Sequence, residues 1–299
     1  MEISDQNSGK QTLTYASAML ATLLWASAFP ATRYVLQFYS PTALMVIRFL
    51  VASATLILAG VIKKISLPKI KDIPMFIASG ISGVFLYSYL FNTGLVTVSA
   101  GVSSFIISSA PIFTLIFTRV FLKELIKPIC WIGVFISFCG LAAVTLTQAS
   151  EFSFNIGVFL ILCAAISSGV YSTVVRVLTK KYTALEVTTY TIITGTIGML
   201  IFLPAAIREI PDSDFTANII IIFLGIFPAA IAYLAWSYAL AKALKAANVT
   251  VFSYLIPFVS VLIAYLWLGE TLSIYALLGG LVIIIGMILT NAFGKDRRK

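Results

Sequence analysis

The chain has 299 residues, 60% of them hydrophobic and only 10% charged, with a mean hydropathy of +1.05. Soluble domains sit at about 45–50% and about 25%, so a water-soluble globular protein is excluded and a polytopic all-α membrane protein is indicated. The formal charge of +9 does not point to nucleic acid, because the basic residues are confined to loops and follow a membrane topology. There is no histidine, and Cys130, Cys139 and Cys163 stand singly in apolar runs without ligand spacing, so no metal or cofactor is expected.

A bilayer core of about 30 Å needs about 20 apolar residues as helix, and the sequence supplies ten such runs. Residues 1–12 form a polar tail that lacks the basic segment, apolar core and cleavage site of a signal peptide, so the first run is a retained helix. Helix α1, expected over 13–37, carries Trp25, Ser27, Phe29, Pro30 and Arg33. Ser40-Pro41 opens α2 (41–62), which holds Arg48. Helix α3 (72–95) carries Tyr87, Tyr89, Asn92 and Thr93, and α4 (98–122) carries Ser103, Ser104, Ser108, Ser109 and Pro111. After the Glu124 turn and Lys127-Pro128 comes the bland α5 (128–147). Helix α6 (156–177) carries Ser167, Ser168, Tyr171, Ser172 and Thr173. Helix α7 (185–207) precedes the polar stretch Glu209–Asp214, and α8 (217–241) carries Tyr233, Trp236 and Tyr238. Helix α9 (246–268) carries Asn248, Thr250, Ser253, Tyr254 and Pro257. The Glu270 turn leads to α10 (272–293) and a basic tail, 294–299.

With the N-terminus inside and the helices alternating, the inner loops collect nearly every Lys and Arg. Arg33 and Arg208 fall outside, and Arg48 lies within α2. The positive-inside rule therefore expects both termini in the cytoplasm. The chain also repeats itself. Ala100–Gly140 reads against Ala246–Gly286 without a gap, pairing Pro111 with Pro257, Glu124 with Glu270, Gly133 with Gly279 and Gly140 with Gly286; upstream, Tyr87 pairs with Tyr233. The expected units are 13–147 and 156–293. Each holds five helices, an odd number, so the second unit runs through the membrane in the opposite sense, an inverted-topology repeat suited to alternating access.

No enzyme constellation is present. The acids lie in tails, loops or helix ends, and nucleotide-binding and nucleophile motifs are absent. A channel would show a filter or a ring of like residues, and neither is seen. What remains is polar and aromatic chemistry inside helices. Trp25, Tyr87, Tyr171, Tyr233 and Trp236 suit stacking or cation–π contact with a substrate, or else helix packing and an interfacial belt. Ser27, Ser104, Ser108, Ser168, Asn92, Asn248, Ser253 and Tyr254 suit hydrogen bonding to a substrate, although Ser hydroxyls in such helices commonly bond their own i−4 carbonyl. Pro30, Pro111 and Pro257 free backbone carbonyls and mark hinges. Arg48 lies about 10 Å into the membrane at 1.5 Å per residue. It suits a substrate carboxylate or phosphate, an outward snorkel, or a structural clamp on loop carbonyls; the clamp is favoured, since α2 carries few other polar groups. Aligning Thr42 with Thr183 makes Thr189 its counterpart. Glu124 and Glu270 read as caps on the helix that follows each.

Two five-helix repeats, a proline in α4 and α9, the turns Leu122-Lys123-Glu124 and Leu268-Gly269-Glu270, the stretch Trp25–Arg33, and Pro41 with Arg48-Phe49 together resemble the EamA branch of the drug/metabolite transporter superfamily. The resemblance covers roughly residues 12–293. It implies a bacterial inner-membrane carrier of amino acids or other small metabolites, usually an exporter, with the small-molecule substrate and the lipid bilayer as partners. The helix-1 glutamate of the superfamily's four-helix multidrug pumps is missing here, where Trp25 and Ser27 stand. The expected layout places α1, α3, α4, α6, α8 and α9 around a cavity, with α5 and α10 at the periphery. The sequence leaves open an amino-acid carrier against a nucleotide-sugar, S-adenosylmethionine or multidrug carrier, facilitation or exchange against proton coupling, and monomer against homodimer.

Overall fold

The helices begin where short polar side chains precede apolar runs. Ser40 accepts a hydrogen bond from Ala43 N, Ser99 from Val102 N, Asn155 from Gly157 N, Thr183 from Glu186 N, Asp214 from Ala217 N and Ser273 from Ala276 N. Each such cap satisfies a backbone donor that the first turn leaves open and contributes about 1 kcal/mol. Thr183 and Glu186 form a reciprocal capping box. The computed structural model describes residues 2–123, 127–146, 155–210, 213–242 and 251–293, and contains no strands among them.

Ten membrane helices follow. Helix α1 runs Glu2–Val35, α2 Pro41–Lys63, α5 Pro128–Leu146, α6 Ile156–Leu178 and α10 Ile274–Phe293. The other five are interrupted. Helix α3 consists of Ile70–Asp72, Ile73–Gly80, a π-helical Ile81–Leu86 and Tyr87–Leu95. Helix α4 breaks between Ala100–Ile107 and Ala110–Phe121, ahead of Pro111. Helix α7 passes from Ala184–Met199 through Leu200–Phe202 to Leu203–Glu209. Helix α8 joins Phe215–Ile226, a π-helical Phe227–Ile231 and Ala232–Lys242. Helix α9 begins with a tight turn, Val251–Leu255, ahead of Pro257 and Ile256–Leu268. Proline thus divides α4 and α9 at equivalent positions, but α1 runs unbroken through Pro30.

The packing carries the repeat into three dimensions. Helix α1 packs on α8 and α9, as α6 packs on α3 and α4; α2 packs on α8, as α7 packs on α3. The pairs α2·α7, α4·α9 and α5·α10 map onto themselves when five is added to each helix number. That is the signature of a pseudo-two-fold axis relating the halves. Because each half crosses an odd number of times, the axis lies in the membrane plane and the repeats are inverted.

The loops sort into two faces accordingly. At one face Tyr39 donates to Asn218 Oδ1, and Ser40 binds the Glu209 carboxylate through its N–H at 2.8 Å and its hydroxyl at 2.7 Å. Thr97 donates there to Asn155. At the other face Tyr182 donates to Asp72 at 2.8 Å, Lys181 pairs with Asp72 at 2.6 Å, and Ser66 N donates to Glu186. Asp72 and Asn218 are equivalent in the repeat register, so one tyrosine latch is built twice, once per face, with an acid at one and its amide at the other.

Helices α5 and α10 form a close pair through small residues, as the layout expects. A Cβ on Gly140 would lie 2.6 Å from Ile283 N and 2.7 Å from Gly279 O, and Gly286 abuts Gly133 O and Ser137. Ser137 also donates to Ile283 O at 3.1 Å.

Candidate functional site

Trp25 is the hub of the interface between the halves. Its ring centroid lies 5.4 Å from Tyr233 in an edge-on contact and 5.3 Å from Trp236. Its Nε1–H donates to Pro228 O at 3.1 Å. That carbonyl belongs to the π-helical turn of α8, where the widened ladder and Pro228 leave backbone groups without their ordinary partners. The other repeat copies the arrangement. Ser167 of α6 donates at 2.7 Å to Ser82 O, in the π-helical turn of α3, and Tyr171 packs against Gly83, where any side chain would collide with its ring. Ser82 and Pro228 are equivalent in the register.

Tyr87 joins this group from α3. Its ring stacks on Phe91 at 5.6 Å, and Phe91 meets Phe29 edge-on at 5.4 Å. Tyr87 lies within electrostatic reach of Tyr233 and Arg48, and Tyr171 within reach of Tyr233. Each of these tyrosines is half-buried. Four aromatic residues, two from each half and one pair of them, Tyr87 and Tyr233, at equivalent positions, therefore lie about one region.

Arg48 enters the same region from α2, which the sequence analysis left outside the cavity. Its Nε is buried without a hydrogen-bond partner, and the titratable groups near enough to feel its charge are Tyr87 and Tyr233. Neither a loop carbonyl nor an acid holds it among the described residues. No bond to a loop carbonyl accompanies the clamp reading: α2 packs on α7 and α8, and the guanidinium carbon lies 5.4 Å from the centroid of the Phe49 ring. Placing an arginine in the span costs at least about 2.5–3.5 kcal/mol on insertion scales. The caps also correct its counterpart. With Ser40 opening α2 and Thr183 opening α7, Arg48 corresponds to Thr191, which shares a hydrogen bond with Ser79 at 2.8 Å. Thr189 is buried and its hydroxyl is unpartnered.

The hydroxyl candidates divide. Ser27 donates to Leu24 O, Ser104 to Gly101 O and Ser108 to Ser104 O, each within its own helix. Ser168 is half-buried on α6, one turn before Ser172, whose hydroxyl donates to Ser168 O at 2.8 Å. Asn92 donates to Pro41 O at 3.1 Å and ties α3 to the start of α2, with its Oδ1 buried and unpartnered. Tyr254 turns away from the cavity. It is buried with Phe105 and Ile283, and its hydroxyl points at Met287 O of α10, because the tight turn before Pro257 rotates that face toward α10. Ser253 is half-buried in the same turn. Asn248 and Glu124 lie outside the described residues.

At the face that carries the Glu270 turn an ion pair appears that sequence distance concealed. Arg33 Nε lies 3.3 Å from Glu270, and its Nη1 donates at 2.6 Å to both Leu95 O and Val96 O. Glu270 Oε2 accepts from Ala100 N at 2.8 Å. Glu270 therefore does cap a helix start, but that of α4; Ser273 caps α10 instead. Tyr34 stacks on Trp267 at 5.3 Å beside this pair, and the ends of α1, α3, α4 and α9 are drawn together.

Comparison with known proteins agrees with this geometry. The model of the EamA-like transporter family matches twice, over residues 12–146 and 155–292, once on each repeat. An uncharacterized transporter of Bacillus subtilis (strain 168), YdfC, is 37% identical over 89% of this chain and 87% of its own length. A probable terminal-alkyne amino-acid exporter of Streptantibioticus cattleyicolor is 34% identical, covering 94% of each chain. An uncharacterized transporter of Archaeoglobus fulgidus is 35% identical over 90% of this chain and 95% of that one. A solved crystal structure superimposes with a TM-score of 0.64 over 96% of this chain and 97% of that one, at 18% identity, which speaks to the fold alone.

Proposed function

The chain belongs to the EamA-like transporter family, and from that premise we propose that it exports or exchanges amino acids by alternating access around the region between Trp25, Tyr87, Tyr171 and Tyr233. One observation carries this reading. Aromatic side chains from both repeats, with Tyr87 and Tyr233 at equivalent positions, converge on one half-buried region, so neither half alone makes the site and a relative motion of the halves changes access to it. Trp236 and Ser168 flank the region, and Asn92, Ser253 and Asn248 are proposed as further polar contacts. The breaks before Pro111 and Pro257 and the two π-helical turns are proposed as the flexing points. A single chain supplies the whole site, so a monomer is proposed as the working unit. The two-faced loop arrangement, with Lys63, Lys64, Lys69, Lys71 and Lys181 at one face, supports cytoplasmic termini in the inner membrane of a bacterium.

The test is counterflow in proteoliposomes against the common L-amino acids, nucleosides and nucleotide sugars. Amino-acid counterflow is expected, reduced by Ala at Tyr233 or Trp236 at normal protein levels. Movement of nucleotide sugars without amino acids would replace the substrate class, and no counterflow of any solute would overturn the reading.

A further inference from the structure

Resting on the carrier reading above, we infer that Arg48 receives the carboxylate of the transported molecule, and that the substrate reaches the site as a carboxylic acid carrying one negative charge there. The guanidinium sits inside the bundle, and among the described residues it forms no hydrogen bond or ion pair; its Nε is buried and unpartnered. Arg33 and Lys181, by contrast, are satisfied: Arg33 holds Glu270 and two carbonyls, and Lys181 holds Asp72. Its contact is with the Phe49 ring, 5.4 Å from the guanidinium carbon of Arg48, and arginine keeps its charge in such surroundings, so a guanidinium held by a ring and by no acid attracts an anion. A planar carboxylate matches its paired donors.

The neighbours select the anion. Tyr87 and Tyr233 lie within reach of the same charge, one from each repeat. Their rings suit the apolar side chain or the ammonium of an amino acid. Arg48 is also the lone Lys or Arg well inside a span, since Arg33, Arg119 and Arg176 lie in the last turns of their helices. One fixed cation balances one carboxylate; a nucleotide diphosphate would bring at least a second charge without a partner. The counterpart of Arg48 in the other repeat is a threonine. The carboxylate is therefore held by the first repeat, and the site is asymmetric although its aromatic walls are not.

The test uses the purified full chain in proteoliposomes. For the amino acid giving the largest counterflow, competition is measured with its α-amide and its decarboxylated amine. In wild type both analogues should compete about tenfold or more weakly than the acid, and Arg48→Gln should weaken the acid by a similar factor and erase the preference. Arg48→Lys should recover part of it. Equal competition by the amide in wild type overturns the inference, as does an Arg48→Gln variant whose KM for the acid stays within about twofold. If Arg48→Gln fails to reach the membrane, the wild-type discrimination alone decides. Transport confined to amines or nucleotide sugars would sink the carboxylate site while leaving a carrier. Absence of any counterflow would sink the carrier reading with it.

Discussion

Arg33 and Glu270 stand far apart in sequence and meet at one face of the bundle, where each does more than neutralise the other. Arg33 occupies the carbonyls of Leu95 and Val96 at the end of α3, and Glu270 occupies the first N–H of α4. Their side chains are 31% and 18% exposed, so the Coulomb part of the pair is worth at most about 1 kcal/mol. The hydrogen bond that Glu270 accepts from Ala100 N adds about 1 kcal/mol as a charged cap. Glu270→Ala should therefore cost about 2 kcal/mol, Glu270→Gln less, and Arg33→Ala should be non-additive with either. Thermal unfolding in detergent reads this, and an additive double variant would show that the two residues do not act as a unit. The sequence marked Glu270 as a helix cap and Arg48 as an intramembrane charge. It could not say which helix start lies beside the first or which way the second turns, because both depend on contacts between segments far apart in the chain.

At the scale of the helix, proline and glycine signalled some interruptions and concealed others. The breaks in α4 and α9 follow Pro111 and Pro257. The π-helical turns of α3 and α8 begin at equivalent positions, yet only α8 has a proline there; in α3 the mark is Gly83, needed to admit Tyr171. Tyr254 shows the opposite failure. Its position before a proline suggested a cavity, but the turn Val251–Leu255 delivers it to α10. The small-residue pairing of α5 and α10 was legible because Gly133, Gly140, Gly279 and Gly286 recur at helical spacing with little polar chemistry around them. Gly140→Val tests it. The new Cβ would meet backbone atoms 2.6 Å and 2.7 Å away, which cannot swing aside, so the helices must part. A loss of about 1–3 kcal/mol and lower membrane abundance are expected, with transport per remaining molecule little changed. Wild-type stability in that variant would mean that the two helices do not touch as described.

The whole molecule is one packing scheme used twice in opposite senses, and that constrains how transport is driven. A proton-coupled cycle needs a group at mid-depth that changes protonation and is reached from each side in turn. The chain has no histidine. Five of its acids stand at helix ends with partners: Asp72 with Lys181 and Tyr182, Glu186 with Thr183 and Ser66, Glu209 with Ser40, Asp214 with Ala217 N, and Glu270 with Arg33. Glu2, Asp5, Glu124, Glu151, Asp212 and Asp296 fall in the tails or loops by sequence. The charge at the proposed site is that of an arginine, which does not release its proton in a protein. The substrate gradient is therefore expected to drive the cycle. Proteoliposomes under an imposed pH gradient but with no substrate gradient should accumulate little, whereas preloaded unlabelled substrate should draw labelled substrate in by exchange. Strong uphill accumulation on the pH gradient alone, lost in Glu124→Gln or Glu270→Gln at normal protein levels, would instead identify a turn carboxylate as the coupling group and make the protein a proton antiporter.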